Sequence, residues 1–434
     1  MLQTLLGYEK SLGVEARWLV IDGDPDFFRV TKRLHNALHG EVGDGSPLSE
    51  EEHAIYERTL SRNAAELSKI ISPGDVVILH DPQTAGLVSH LRDIGATAIW
   101  RCHIGSDDSS SESDLGWSFL EPYLQRAQSF VFSRFSYIPS FCDPARTVIV
   151  APSIDPFSPK NQQLGESAVR SILAHTGLVA GPVDATGPTI QLSGGSSVQM
   201  SQRADVMRVG SPPSQDTPLI VQVSRWDHLK DPQGVLEGFC RAAQEPGFEK
   251  PHLVLAGPDV RAVTDDPEGL QVYEQVVEYW RGLPLELRER VHLVCLPMND
   301  LRENALIVNA LQRHAAVVVQ KSLREGFGLT VTEAMWKARP VIASAVGGIQ
   351  DQIEHGINGM LLQEPTDAQG FADMLRQLLG SPLLAEQLGR NGKTRVGKQY
   401  LGVRALLQFS DVVERVHQDN PDRHQKPAVR RVRL

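Results

Sequence analysis

Residues 316–346 read AVVVQKSLREGFGLTVTEAMWKARPVIASAV. A β-branched run ends near Gln320, a loop carries Glu325-Gly326-Phe327-Gly328, and a helical segment follows from Leu329 through Glu333. Glycines in such a loop let the backbone approach a ligand closely, and the N–H groups at a helix start favour negative charge. A diphosphate suits that place. Glu325 and Glu333 stand eight residues apart, so loop and second helical turn can aim both carboxylates into one pocket. There they would accept hydrogen bonds from sugar and ribose hydroxyls. A second β run, Val341–Ser344, closes the stretch, and strand–helix–strand is the unit of a parallel sheet.

The same alternation extends on both sides. Leu219–Val223, His252–Ala256 and Val291–Cys295 are short β-rich runs separated by helix-length segments, of which Leu270–Trp280 puts Val272, Val276, Val277 and Trp280 on one face. The segment VQVSRWDHLKDP, residues 221–232, places Arg225 and Lys230 just after the first of these strands. Two cations at a strand's carboxyl end are suited to neutralising a leaving diphosphate. In the N-terminal half the candidate strands are Arg17–Ile21, Val76–Leu79, Ala98–Cys102, Phe130–Phe132 and Val148–Val150. The expected fold class is α/β: two doubly wound, Rossmann-like parallel-sheet domains facing a cleft that holds the ligand.

Expected boundaries follow from composition. Residues 1–158 are expected to form the N-terminal domain, and 218–390 the C-terminal one. Between them, 159–217 reads as a flexible linker or insertion, because LSGGSSVQMSQ and GSPPSQDTP are rich in Ser, Gly, Gln and Pro. One helical piece is expected inside it, near Glu166–His175. Residues 391–420 are expected as helices packing back on the first domain, and 421–434 as a frayed basic tail. The chain opens with an amphipathic helix, Leu2–Leu12, that has no strand before it. The expectation is a first sheet whose first strand is missing, with a vacant position beside Arg17–Ile21, near His80 and His103.

The 434 residues are 41% hydrophobic and 22% charged, enough for sizeable cores. Lys and Arg number 43 against 53 Asp and Glu, a net charge of −10, which disfavours a nucleic-acid partner. Four cysteines stand far apart with no clustering, as expected of reduced cytoplasmic thiols rather than disulfides or zinc ligands. Apolar runs are too short to cross a bilayer, and the start MLQTLLGYEK lacks the features of a signal peptide. No membrane partner is expected.

Glu325-x7-Glu333, Arg225 with Lys230, and Gly347-Gly348 after Val341–Ser344 together resemble the retaining nucleotide-sugar glycosyltransferases of the two-domain B type (GT-B), family four. The blocks WLVIDGDPDFFRVTKRLHNALHG, LHDPQTAGL, WRCHI, APSIDPFSPKN and REGFGLTVTEAMWKARPVIASAVGGIQDQI, spread over residues 18–353, more narrowly resemble the trehalose glycosyltransferring synthase group. The resemblance implies transfer of glucose from a nucleoside diphosphate glucose (ADP-, UDP- or GDP-glucose) to free glucose, giving α,α-trehalose. It implies that His103, Arg225, Lys230 and Glu325 serve catalysis, His103 facing the reacting sugar. The donor would be held by Arg225, Lys230, Glu325, Gly326, Phe327, Gly328, Leu329, Thr330 and Glu333, with Glu333 on the ribose. His80 and Arg101 would line the acceptor side. No cofactor is required by that scheme, and it leaves room for a homo-oligomer.

The polar residues Asp22, Asp24, Lys32 and Asn36 of the segment Asp22–His39 are suited to hydrogen-bonding the acceptor glucose, or equally to an amphipathic helix in solvent. Asp22-Gly23-Asp24 also fits the Asp-x-Asp of metal-dependent glycosyltransferases. That motif is short and leaves the second domain without a task, so no metal site is assigned. A trehalose phosphorylase, a sugar-nucleotide epimerase on the same fold, and a catalytically weak sugar-nucleotide-binding protein are the other readings. Phosphate dependence, turnover without acceptor, and binding without product respectively distinguish them.

Overall fold

The computed structural model describes residues 15–418 apart from 42–45, 47, 184–185 and 262–266. The opening helix Leu2–Leu12 and the basic tail lie outside the described residues. The chain divides into two compact units, Ser153–Gly402 and Leu2–Pro152 with Val403–Leu434.

In the N-terminal unit, helix α1 (Pro25–Leu38) starts where the Asp24 carboxylate accepts the Phe27 N–H, with Pro25 in the first turn. Its Phe27, Val30, Leu34 and Leu38, spaced three or four apart, are buried. Helix α2 (Glu50–Leu67) begins in a reciprocal Ser49–Glu52 capping box. There follow β1 (Val76–His80), α3 (Leu87–Ile94), β2 (Thr97–Cys102), α4 (Ser111–Leu124), β3 (Ser129–Phe132) and β4 (Thr147–Ile149). The four strands form one parallel sheet in the order β1-β2-β3-β4. Strand alternation sends Trp100, Cys102, Phe130 and Phe132 into the core containing α1, α2 and α4, and Ile99 and Val131 to the opposite face.

Arg17–Ile21 corrects the sequence reading. It joins no ladder among the described residues, and Trp18, Leu19 and Val20 are exposed. A β-rich composition reports how side chains suit a pleated surface; it does not supply a neighbour to pair with. The sheet ends at β1, which pairs with β2 alone among the described residues, so no strand there fills the position expected to be vacant.

The second unit contains a stretch expected to be a flexible linker, and this too is corrected. Residues 159–217 hold α5 (Glu166–Thr176), the hairpin β5–β6 (Thr189–Gln191 and Ser197–Gln199) and β7 (Asp205–Met207). Few apolar residues serve as anchors, but Val169, Ile172, Leu173, Ile190, Val198 and Met200 are all buried. Buried polar side chains satisfy the backbone between them. Gln162 donates to Gln191 O and accepts from Ser193 N, while Glu303 accepts from the N–H groups of Ser201 and Gln202.

Then come β8 (Leu219–Val223), α6 (Pro232–Ala243), β9 (His252–Pro258), α7 (Pro267–Gly282), α8 (Leu285–Arg288), β10 (Val291–Leu296), α9 (Leu301–His314), β11 (Val317–Gln320), α10 (Leu329–Trp336), β12 (Val341–Ser344), α11 (Ile349–Gln352), β13 (Met360–Leu362), α12 (Ala368–Gly380) and α13 (Pro382–Gln399). The sheet order is β13-β12-β11-β8-β9-β10-β7, parallel except for β7, which pairs antiparallel with β10. The chain runs outward from β8 through β10, then returns to lay β11 on the other side of β8. That reversal opens a crevice at the carboxyl ends of β8 and β11.

The last helix among the described residues, α14 (Gly402–Gln418), completes the N-terminal unit. Its Ala405, Phe409, Val412 and Val416 pack on Ile99, Val131 and Val150, covering the sheet face that α1 and α4 leave open. No helix among the described residues is long and apolar enough to cross a membrane.

Candidate functional site

At the crevice of the second unit, the loops after β8 and β11 are stitched together. Leu323 N–H donates to Leu229 O at 2.8 Å. Gln222, at the end of β8, donates to Lys230 O (2.8 Å) and accepts the Lys321 N–H (3.2 Å). The buried Lys321 ammonium pairs with Asp231, whose other oxygen caps α6 through Gly234 N–H. Asp231 itself sits at φ +46°, a conformation an L residue adopts only when its surroundings hold it. A Cβ on Gly234 would lie 2.1 Å from Asp231 Oδ2 and 2.5 Å from Lys321 Nζ. Glycine makes the room this ion pair occupies.

On that frame Lys230 Nζ meets Glu325 Oε2 at 2.8 Å, both side chains about 15% exposed. Ser322 Oγ donates to the same oxygen at 3.3 Å. Gly347, at φ +51°, lies so close beneath the loop that a Cβ there would stand 1.6 Å from Glu325 O. Gly348 N–H donates to Gly326 O (3.1 Å), and the Gln352 amide reaches Phe327 O. Phe327 is buried, packed edge-on to Tyr400. Gly328, at φ +81°, ends the loop and begins α10. The first N–H groups of that helix, from Leu329 and Thr330, have no intrahelical acceptor by geometry and suit an anion.

Glu333 lies one turn along α10, and its side chain leans towards the helix start, as helical side chains do. It is 8% exposed and stands 3.1 Å from Lys160 Nζ. Arg225 is set apart from this group: exposed, it pairs with Asp227 at 2.8 Å. The structure therefore brings together Lys230, Glu325 and residues 326–330, with Glu333 on the same helix, while Arg225 stands in solvent.

In the N-terminal unit, β1 and β2 carry His80, Arg101 and His103 to neighbouring strand ends. The His80 and His103 rings stack at 5.5 Å. Asp81, at φ +63°, accepts the His103 N–H (2.7 Å) and the ring Nδ1–H (3.1 Å). Arg101 Nε–H donates to His103 Nε2 at 2.7 Å. Both ring nitrogens are thus engaged, which selects the Nδ1–H tautomer. Arg101 is buried, donates to Val150 O and lies over the Phe409 ring; burial brings its pKa down to about 10. Burial, then the neighbouring His103, pushes His80 down to about 4. For Asp81 burial acts upward, but the hydrogen bonds from His103 outweigh it and the carboxyl titrates below its ordinary range.

The four acceptor-side candidates are less gathered. Asp22 is held by its backbone, exchanging two hydrogen bonds with the Asn63 amide, and its side chain is exposed. Asp24 is engaged as the cap of α1. Lys32, exposed, and Asn36, half-buried, lie a turn apart on that helix. Sequence reasoning missed Asp81, Lys160, Asp231 and Lys321. Asp81 and Lys160 do stand inside the quoted blocks LHDPQTAGL and APSIDPFSPKN, adjacent to or near residues already singled out.

Residues 1–139 match the family described as trehalose synthase, N-terminal domain, and residues 205–395 match glycosyl transferases group 1. A trehalose synthase of Rubrobacter xylanophilus is 35% identical over 408 residues, 94% of this chain and 84% of that protein. A trehalose phosphorylase of Pleurotus pulmonarius is 25% identical over 421 residues, 92% of this chain and 52% of that protein. Among solved structures, a UDP-forming α,α-trehalose-phosphate synthase of Burkholderia xenovorans, in complex with glucose-6-phosphate, matches with a TM-score of 0.65. The match covers 90% of this chain and 84% of that one at 15% identity. Identity that low speaks for the fold, which is that of the GT-B glycosyltransferases.

Proposed function

Because the chain belongs to the trehalose synthase family of glycosyltransferases, we propose that it moves glucose from a nucleoside diphosphate glucose to the anomeric hydroxyl of free glucose. The configuration at the donor carbon is retained and the product is α,α-trehalose. The observation that carries this reading is the Lys230–Glu325 pair at the β8/β11 crevice. A cation for phosphate and a carboxylate for sugar hydroxyls stand within hydrogen-bonding distance there, beside the start of α10. With donor absent each neutralises the other; with donor bound, Lys230 turns to the diphosphate and Glu325 to the glucose hydroxyls. Arg225, free to swing in solvent, joins Lys230 on the phosphates. Glu333 accepts from the ribose.

The anomeric C–O bond to the diphosphate breaks, and its electron pair leaves on the phosphate oxygen. The acceptor hydroxyl attacks the oxocarbenium-like sugar from the same face, and its proton passes to the departing phosphate. The protein's work in this scheme is positioning and charge neutralisation, by Lys230, Arg225 and the helix start. We assign His103, fixed by Asp81 and Arg101, to catalysis, and Asp22, Asp24, Lys32, Asn36, His80 and Arg101 to the acceptor. Four buried free cysteines suit a reducing compartment, and we place the reaction in the cytoplasm.

Incubating the chain with glucose and ADP-, GDP- and UDP-glucose, and reading product mass and linkage, tests the proposal: trehalose with release of nucleoside diphosphate is expected. Similarity to trehalose phosphorylases favours one alternative, phosphorolysis at the same site. Trehalose breakdown that requires phosphate and ignores nucleotide would establish it instead.

A further inference from the structure

Glu333 Oε2 is buried without a hydrogen-bond partner, and the charge facing it is the Lys160 ammonium at 3.1 Å. Lys160 is presented there by fixed neighbours on both sides. Pro159 O accepts from Asn309 Nδ2 at 2.9 Å. Asn161, buried, takes Lys337 Nζ on its side-chain oxygen (3.0 Å) and Trp336 Nε1 on its carbonyl (3.2 Å). Lys337 in turn donates to Glu333 O (3.1 Å) and Gln312 Oε1 (2.8 Å). The backbone around Lys160 is thereby bolted to α9 and α10, while its own side chain, 40% exposed, keeps freedom to adjust over Glu333.

We infer that Lys160 and Glu333 act as a two-part clamp on the ribose diol of the donor, making Lys160 a specificity-determining residue for ribonucleotide donors. The inference rests on the assignment of Glu333 to the ribose. A carboxylate only accepts and an ammonium only donates, whereas each ribose hydroxyl offers both functions. Together the pair can take hydroxyl hydrogens on Glu333 and give a hydrogen to a hydroxyl oxygen from Lys160. Both bonds are charge-assisted. A 2′-deoxyribose offers one hydroxyl fewer and leaves a desolvated charge short of a partner, the situation in which polar sites discriminate most strongly.

The test is calorimetric binding of ADP, GDP and UDP, and of their 2′-deoxy counterparts, to the full chain and its variants. The unmodified protein should prefer the ribonucleotide of its best base. Lys160→Met should weaken that ribonucleotide about tenfold, the scale of one charge-assisted hydrogen bond, and barely change the deoxy form, so that the preference collapses. Lys160→Arg should restore it. Lys160→Gln, which keeps a neutral donor, should fall between and serves as second variant if the Met form melts early. The clamp is overturned if Lys160→Met leaves ribonucleotide binding intact, or weakens ribo and deoxy forms equally, while Glu333→Gln still weakens ribonucleotide binding. If Glu333→Gln changes nothing, or no nucleoside diphosphate binds, the donor-site reading fails and takes the clamp with it.

Discussion

Lys321 and Asp231 touch no substrate in the scheme proposed above, yet they set where Lys230 stands. Lys321 is almost wholly buried, and its ammonium is the counter-charge of a carboxylate held at positive φ. Removing one member of such a pair strands the other, a loss of about 3–5 kcal/mol. Lys321→Met should therefore lower the melting temperature by many degrees. Adding Asp231→Asn should recover part of the loss, a non-additivity read directly in a double-mutant cycle. Arg225 is the opposite case. It is two-thirds exposed in its pair with Asp227, so Arg225→Ala should leave melting within about one degree's worth of change and lower turnover about tenfold or more. A melting point that falls with activity would show a structural role. Lys230→Ala is a less clean probe, because it also strips the counter-charge from a mostly buried Glu325. The gathering of Lys230 and Glu325 beside the helix of Glu333 follows from their places at strand and helix ends, whereas Arg225, expected with them, stands apart in solvent. Lys321, Asp81 and Lys160 were not legible, since each acquires its task from a contact 22 to 173 residues away that no local pattern encodes.

The element that ties loop to helix at the proposed donor site is the turn at Gly347. A methyl group there would collide with Glu325 O, and the left-handed backbone adds its own strain. Gly347→Ala should push the Glu325 loop outward and lower kcat/KM by about a hundredfold, the cost of misplacing a positioned group by roughly an ångström. A variant with unchanged kcat/KM would show that the loop's register does not matter to the reaction. Elements of the second sheet were readable because β8 to β12 are apolar on both faces and punctuated by Gly, Pro and Asp. Two elements misled. Arg17–Ile21 has the composition of a strand without a ladder to join. The stretch 159–217 has the composition of a linker, but is folded by polar side chains such as Gln162 and Glu303, whose partners lie in distant segments.

At the scale of the whole molecule, both units bury histidines in neutral form. Burial, reinforced by His252 and Arg208, holds His292 down to about 3; burial and then His103 hold His80 down to about 4. Above about pH 6.5, the ordinary histidine value, folded and unfolded chains are alike in these groups and nothing is lost. As the pH falls below that value the unfolded chain takes up protons that the folded one refuses until about 4 and 3. Stability should therefore decline progressively from pH 6.5 towards 4, and melting temperatures across pH 7.5 to 4.5 measure it; a flat profile would contradict the burial of these rings. The two-sheet α/β plan was legible from alternation alone, but the discontinuity of the N-terminal unit has a consequence in time. A chain leaves the ribosome from its N-terminus, and α14 is the last described helix to emerge. Until it does, Ile99, Val131 and Val150 stay uncovered, while Ser153–Gly402, one unbroken stretch, has everything its own core requires. Synthesis should therefore finish the second unit first and leave the earlier one waiting on the last. A chain stopped at residue 401 should bind a hydrophobic dye and aggregate through the first unit, and supplying residues 402–418 as a separate peptide should suppress both.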